Sequence, residues 1–166
     1  MSELLLAGCE TQARLCQNLQ DAPLGRVAWN RLLSKSETRS VFLTWQWLAT
    51  WWESFRDGAE LFAFAVERDG ELVGIAPLMV RRQDGARIVE FLGMGSSDYC
   101  DFIAAEDDKP AVVQAVVEAL VKRRDRWAAV RLRYLPAHSS TARLLSELAL
   151  PSGWQVRSEV EAVCPA

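Results

Sequence analysis

FLGMGSSDYCDFIAAEDDKP, residues Phe91–Pro110, decides how this chain is read. An apolar strand over Arg87–Leu92 runs into a glycine-serine turn. The polar cluster Asp98, Tyr99 and Asp101 follows, and an acidic loop then opens a long helix. A strand-to-helix junction presents backbone N–H groups and the positive end of a helix dipole, which is where α/β proteins place ligands. Here the loop carries Glu106, Asp107 and Asp108 in place of glycines, which argues against phosphate at that point.

Upstream of the junction the periodicity is that of strands. Leu61–Glu67 and Glu71–Val80 are separated by Arg68-Asp69-Gly70, and Asp-Gly favours a type I′ hairpin turn. A second Asp-Gly, Asp84-Gly85, leads into Ala86–Leu92, so three strands form an antiparallel meander. Pro77 lies within the middle strand and cannot donate to a ladder, which predicts a bulge or a splayed edge there.

Further upstream, SVFLTWQWLATWWESFRDG reads as a helix capped by Thr44 and stopped at Asp57-Gly58. Trp45, Leu48, Trp52 and Phe55 recur at helical spacing, and Trp47 and Trp51 make a second row four residues apart. The chain has 7 tryptophans, and this one segment holds more than half of them. Such a helix can pack a core, or it can offer Trp45 and Trp52 as an aromatic wall for a sugar ring or an acyl chain. Before it, Leu4–Ala7 reads as a short strand, Thr11–Leu19 as a first helix and Ala28–Leu33 as helical turns.

Downstream, Asp101–Ala104 reads as a short strand and Pro110–Arg126 as a helix. The buried stripe of that helix is Val113, Val116, Val117, Leu120 and Val121. Ala128–Leu135 is a strand, Ser139/Ser140 cap a helix running to Leu148, and Trp154–Ser158 is a last strand. The predicted fold class is α/β (a mixed α+β sheet): an antiparallel meander followed by α-β-α-β, in one domain covering 1–166.

Composition sets the outer limits. At 166 residues, 50% hydrophobic and 25% charged, the chain can bury a sizeable core. A formal charge of −3 gives no general attraction to nucleic acid or anionic lipid. The basic run Lys122–Arg126 suits the negative end of a helix dipole. Cys9, Cys16, Cys100 and Cys164 are scattered and the chain has 1 histidine, so no metal site is expected. The start MSELLLAGCE lacks a basic n-region, and no apolar run approaches a membrane span, so a cytoplasmic protein with reduced thiols is expected.

At this point the residues carry a resemblance. The order of elements resembles the GNAT (Gcn5-related N-acetyltransferase) fold. VFLTWQWLATWW, LVGIAPL, FLGMGSSDYCDF and the final VCPA are similar to phrases in the amino-terminal half of FemAB-like, BioF2-like (CelD-type) acetyltransferases. The resemblance implies acyl or aminoacyl transfer, often linked to cell-envelope or exopolysaccharide synthesis. It also implies a longer protein in which a second GNAT-like half follows this one as its partner. Acetyl-CoA-binding members carry a Gln/Arg-x-x-Gly-x-Gly/Ala loop, whereas the corresponding stretch here is AEDDKPA. At about 6 Å and an effective dielectric near 20, each carboxylate would repel a pyrophosphate charge by roughly 3 kcal/mol before screening. No cofactor is therefore expected on this chain, with acetyl-CoA or another acyl donor left to the complete protein.

No catalytic residue stands out. His138 has no evident acid partner and no serine sits in an elbow motif, which disfavours a hydrolase triad. The expected acceptor-binding residues are Ser96, Ser97, Asp98, Tyr99 and Asp101, with Trp45 and Trp52. A carboxylate there can orient an amine and Tyr99 can protonate a leaving thiolate. Alternatively, Asp98 closes a turn over Ser96/Ser97 and Asp101 caps a loop. In extended chain these two carboxylates point to opposite faces. A stand-alone, non-catalytic binding module is the other functional reading, and an edge strand left open at the chain end would favour a homodimer.

Overall fold

The computed structural model describes residues 10–160, so Leu4–Ala7 and the last four residues of the resemblance lie outside them. Two four-stranded sheets and four helices make up the described residues. The first sheet has the order β1-β3-β4-β7: β1 Thr11–Leu15, β3 Phe64–Arg68, β4 Glu71–Ala76 and β7 Ile103–Ala104. The second has the order β2-β5-β6-β8: β2 Ala59–Leu61, β5 Leu78–Gln83, β6 Ala86–Phe91 and β8 Ala129–Arg131. The helices are α1 Arg26–Leu33, α2 Trp45–Phe55, α3 Lys109–Val121 and α4 Thr141–Glu147.

Both Asp-Gly turns form as the residue types demand. Asp69 and Gly70 have φ of 52° and 78°, and Asp84 and Gly85 have 50° and 82°, the left-handed pair that closes a two-residue hairpin. The meander, however, is not one sheet. Pro77 separates β4 from β5, and the two segments belong to different sheets. Across Pro77 the neighbour changes: β4 pairs with β7 on its outer side, whereas β5 pairs with β6. The predicted splay is thus a division of the sheet, and consecutive strands β6 and β7 end on opposite sides of it. A bulge does occur, at Val66/Glu67 opposite β4.

Two sequence readings are corrected. Thr11–Leu19 is not a helix; Thr11–Leu15 pairs with Phe64–Arg68 as an antiparallel edge strand. TQARL contains good helix formers, but its backbone finds a ladder partner far along the chain, and tertiary pairing overrides weak propensity. Trp154–Ser158 is not a strand either. Trp154 stacks edge-to-face on Trp127, ring centres 5.1 Å apart, and its segment runs on without a ladder. The helix predicted to reach Arg126 ends at Val121 and is followed by a separate 3-10 turn, Arg124–Arg126. The strand expected over Ala128–Leu135 pairs only over Ala129–Arg131.

Strand alternation builds two cores, one on each side of the first sheet. Phe64, Val66, Ala76 and Ala104 face α3, where Val112, Val113, Val116 and Leu120 are buried against them. Ala65, Ile75 and Ile103 face the other way, onto Trp29, Leu32 and Leu33 of α1 and Leu48, Ala49 and Trp51 of α2. Gly74 lets α3 approach closely, since a Cβ there would lie 2.5 Å from the Val112 methyl groups. Trp29 is fully buried and donates its indole N–H to the Leu43 carbonyl at 2.8 Å.

Candidate functional site

The connection from β6 to β7, Leu92–Phe102, crosses the division at Pro77, and the protein holds this turn at many points. Leu92 N–H donates to the Pro77 carbonyl at 2.8 Å, Ser96 N–H to Gly93 at 3.1 Å, and Cys100 N–H to Tyr134 at 3.0 Å. Gly93 sits at φ 89°, and a Cβ on it would lie 2.6 Å from Ser97 Oγ and 2.9 Å from a Leu48 methyl. Only glycine lets the turn settle onto α2 this closely. Met94 packs against both cores, as a flexible side chain at their junction does.

From α2, the tryptophans that meet the turn are Trp47 and Trp51. Trp47 donates its indole N–H to Ser97 Oγ at 3.0 Å and Trp51 donates to Ser96 Oγ at 3.2 Å. The named pair goes elsewhere: Trp45 donates to the Leu19 carbonyl at 2.9 Å, and Trp52 lines a cleft with Arg56 and Arg126. The turn-facing rings are the second i,i+4 row noted in the sequence, although spacing alone does not show which row meets the turn. Phe42 extends the aromatic row, packing edge-on to Trp47 at 5.1 Å and tilted to Tyr99 at 6.4 Å. Ser97 is buried, and Ser96, Asp98 and Tyr99 are the exposed polar residues of the turn; the Ser96 hydroxyl accepts from Trp51, and Tyr99 is 40% exposed.

Asp101 points the other way and is fully buried. Its carboxylate accepts from Thr38 Oγ1 at 2.6 Å, Thr141 Oγ1 at 2.6 Å and the Phe102 N–H at 2.8 Å. It also pairs with the ammonium of Lys109 at 2.9 Å, and neither side chain is exposed at all. Lys109 donates further to the Phe102 carbonyl at 2.6 Å and lies 3.4 Å from Glu37. Glu37 in turn accepts from Ser140 N–H and Oγ, each at 3.0 Å. One buried cluster therefore ties the turn to the α1–α2 connection and to the starts of α3 and α4. Asp98 and Asp101 do not share a site; the first faces solvent and the second anchors the turn beneath it. Glu37, Thr38 and Thr141 carry no local sequence signal, because their partners Ser140 and Asp101 lie 40 to 103 residues away, whereas Lys109 meets Phe102 and Asp101 from the start of the next helix.

Cys100 lies between the two carboxylates. Burial first, then Asp101 and Asp98, push its thiol up to about 12, so it stays protonated and is no nucleophile at neutral pH. The exposed His138 lies in the turn ahead of α4. Among the described residues, no group of His, Cys, Asp and Glu could hold a metal ion.

A pyrophosphate at the start of α3 would need free backbone donors there. Asp108 N–H and Lys109 N–H both turn back to the Ala105 carbonyl, at 3.1 and 2.9 Å, and Pro110 has no N–H. The Lys109 ammonium is drawn inward, Asp108 pairs with Arg68, and Glu106 and Asp107 are exposed. These residues do not fit a CoA pyrophosphate at that helix end: carboxylates, not donors, face the place where it would sit.

The architecture has a counterpart among solved structures. The crystal structure of ribosomal-protein-alanine N-acetyltransferase from Brucella melitensis biovar Abortus 2308 superposes with a TM-score of 0.51, covering 91% of this chain and 99% of that one. The fold is GNAT-like. At 17% identity the likeness concerns the fold and not the activity. No protein-family model and no curated protein matches the sequence. Within this GNAT-like fold, no helix among the described residues is long and apolar enough to cross a membrane.

Proposed function

We propose that this domain is the acceptor-binding part of an N-acyltransferase, working with an acyl donor held by a second GNAT-like half of a longer protein. The observation that carries this reading is the rigid turn at the divided sheet. Trp47 and Trp51 hold Ser97 and Ser96, the Asp101–Lys109 pair anchors its far end, and Asp98 and Tyr99 are thereby presented together to solvent. An ionised Asp98 accepts hydrogen bonds from an amine acceptor and orients it, while the Tyr99 phenol can exchange a proton with a leaving group. The aromatic row Phe42, Trp47 and Tyr99 supports a flat or sugar-like body beside that amine, in keeping with an acceptor from envelope or exopolysaccharide synthesis. The start of α3, crowded with carboxylates, supports leaving the donor to the other half.

The test uses the full-length protein carrying Asp98→Asn. Transfer to the amine acceptor is expected to fall at least about tenfold, the weight of one charge-assisted hydrogen bond, with the melting temperature unchanged. Unchanged turnover would remove Asp98 from the site. Calorimetric titration of the 166-residue chain with acetyl-CoA is expected to give no saturable heat. Micromolar binding would place a donor site on this chain and refute the division of labour.

A further inference from the structure

The Trp52 cleft is left unused by the acceptor reading. It has a volume of about 280 Å³ and lies between the end of β1, the last turn of α2, β2 and the Arg124–Arg126 turn; its walls include Leu15, Trp52, Arg56, Glu60, Leu61 and Arg126. That is the lower end of the range of small-molecule sites. Three observations mark it out from an ordinary surface hollow.

First, Trp52 differs from the other tryptophans of α2. Trp45, Trp47 and Trp51 all donate their indole N–H within the protein, to Leu19, Ser97 and Ser96. Among the described residues the Trp52 N–H has no acceptor, and the half-buried ring borders the cleft. An amphipathic ring with an unused donor offers both a flat apolar surface and a hydrogen bond. Second, the charges are unequally engaged. Glu60 is bonded by Arg126 and, at 2.7 Å, by Arg87, and the Arg126 guanidinium also lies 5.5 Å over the Phe62 ring. Arg126 is thus a fixed cation, and Glu60 is already neutralised from two sides. Arg56, at the end of α2, has no ion pair or hydrogen bond to its side chain among the described residues, leaving the walls of the cleft with net positive charge. Third, the one thiol in the cleft is inert. Cys16 is buried, burial first raises its pKa, and its Sγ contacts the Arg14 carbonyl at 3.6 Å. The cleft is therefore equipped to bind and not to react.

We propose that this cleft binds a small organic carboxylate with a flat apolar body. The body lies against Trp52, Leu15 and Leu61, and the carboxylate is received by Arg56 and the Trp52 N–H, with Arg126 adding its field. A bare oxyanion lacks the part that Trp52 recognises, and a neutral amide lacks the charge that Arg56 recognises.

Sodium benzoate is the probe, titrated into the ¹⁵N-labelled chain and followed by NMR at the Trp52 indole N–H. A saturable shift is expected with a Kd on the order of 1 mM, as befits so few heavy atoms. Arg56→Gln, at an exposed position, should weaken binding about tenfold without moving the melting temperature. Trp52→Phe, followed at the Leu61 backbone amide, should weaken it by a smaller factor. Benzamide and inorganic phosphate should each bind about tenfold more weakly than benzoate. The proposal is overturned if benzoate fails to saturate below about 50 mM, if Arg56→Gln leaves its affinity unchanged, or if either control matches it.

Discussion

Replacing Lys109 by Met removes the one cation that, among the described residues, pairs with both Asp101 and Glu37 in their buried cluster. The ammonium makes contacts at 2.6 Å to the Phe102 carbonyl, 2.9 Å to Asp101 and 3.4 Å to Glu37, with no exposure to water. At 2.9 Å and an effective dielectric near 20, the Lys109–Asp101 attraction is about 6 kcal/mol, against a desolvation penalty of several kcal/mol for each ion. The net worth of the pair is therefore small. Removing one member is different, because the other is left buried and uncompensated, at a cost of about 3–5 kcal/mol. Asp101 keeps the hydroxyls of Thr38 and Thr141 and the Phe102 N–H, which places the expected loss near the lower end, about 3 kcal/mol. For a domain of this length that is roughly 6–12 °C in melting temperature. Urea and thermal melts followed by tryptophan fluorescence and far-UV circular dichroism would measure it. In the double variant Lys109→Met with Asp101→Asn, the unpaired charge at position 101 disappears while that of Glu37 stays, so its loss should be smaller than the sum of the two single losses by at least about 1.5 kcal/mol. A Lys109→Met protein within about 1 kcal/mol of the parent, or strict additivity in the cycle, would refute the reasoning.

Other outcomes follow from the same geometry. Gly93→Ala should cost at least about 2 kcal/mol in urea melts, since it adds a left-handed strain to contacts of 2.6 and 2.9 Å; Gly95→Ala, at the same φ of 89° with nothing nearby, should cost about 1 kcal/mol. Gly74→Ala should cost about 1–3 kcal/mol by pushing α3 off the first sheet, and a companion Val112→Ala should recover part of it. The Cys100 thiol titrates at about 12 when folded and near 9.0 when unfolded, so its contribution is complete below the unfolded value and is lost as pH rises through the folded one. Between pH 8 and pH 10 the parent should lose about 1.4 kcal/mol more than Cys100→Ala, and equal losses in chemical denaturation would count against the burial of that thiol.

How much of this was legible in the sequence depended on how local each signal was. The Asp69-Gly70 and Asp84-Gly85 turns, the Thr44 cap, with its side chain 3.3 Å from the Trp47 N–H, and the apolar stripe of α3 were readable because partner atoms lie within a few residues. The strand β1 was misread because its ladder partner is Phe64–Arg68, and the five residues themselves favour a helix as readily. The candidate site was half legible. The Ser-Ser-Asp-Tyr turn could be located, but Trp47 and Trp51 could not be preferred to Trp45 and Trp52 until the side of α2 that meets the turn was known. The acidity of the loop before α3 was plain in the sequence, whereas the occupation of its N–H groups by the Ala105 carbonyl was not.

By itself, then, the sequence determined where the backbone turns, which segments are apolar on one side, and that the junction at Phe91–Pro110 carries carboxylates where a pyrophosphate would need donors. These are properties of neighbouring residues, set by steric freedom, hydrogen-bonding capacity and charge. Only the tertiary structure decided that the strand through Pro77 changes sheets, that Asp101 turns inward to Lys109 while Asp98 stays in water, and that Trp52 borders a cleft. Each depends on groups far apart in the chain being desolvated together, and the balance between burying a charge and pairing it exists only once the partners have met.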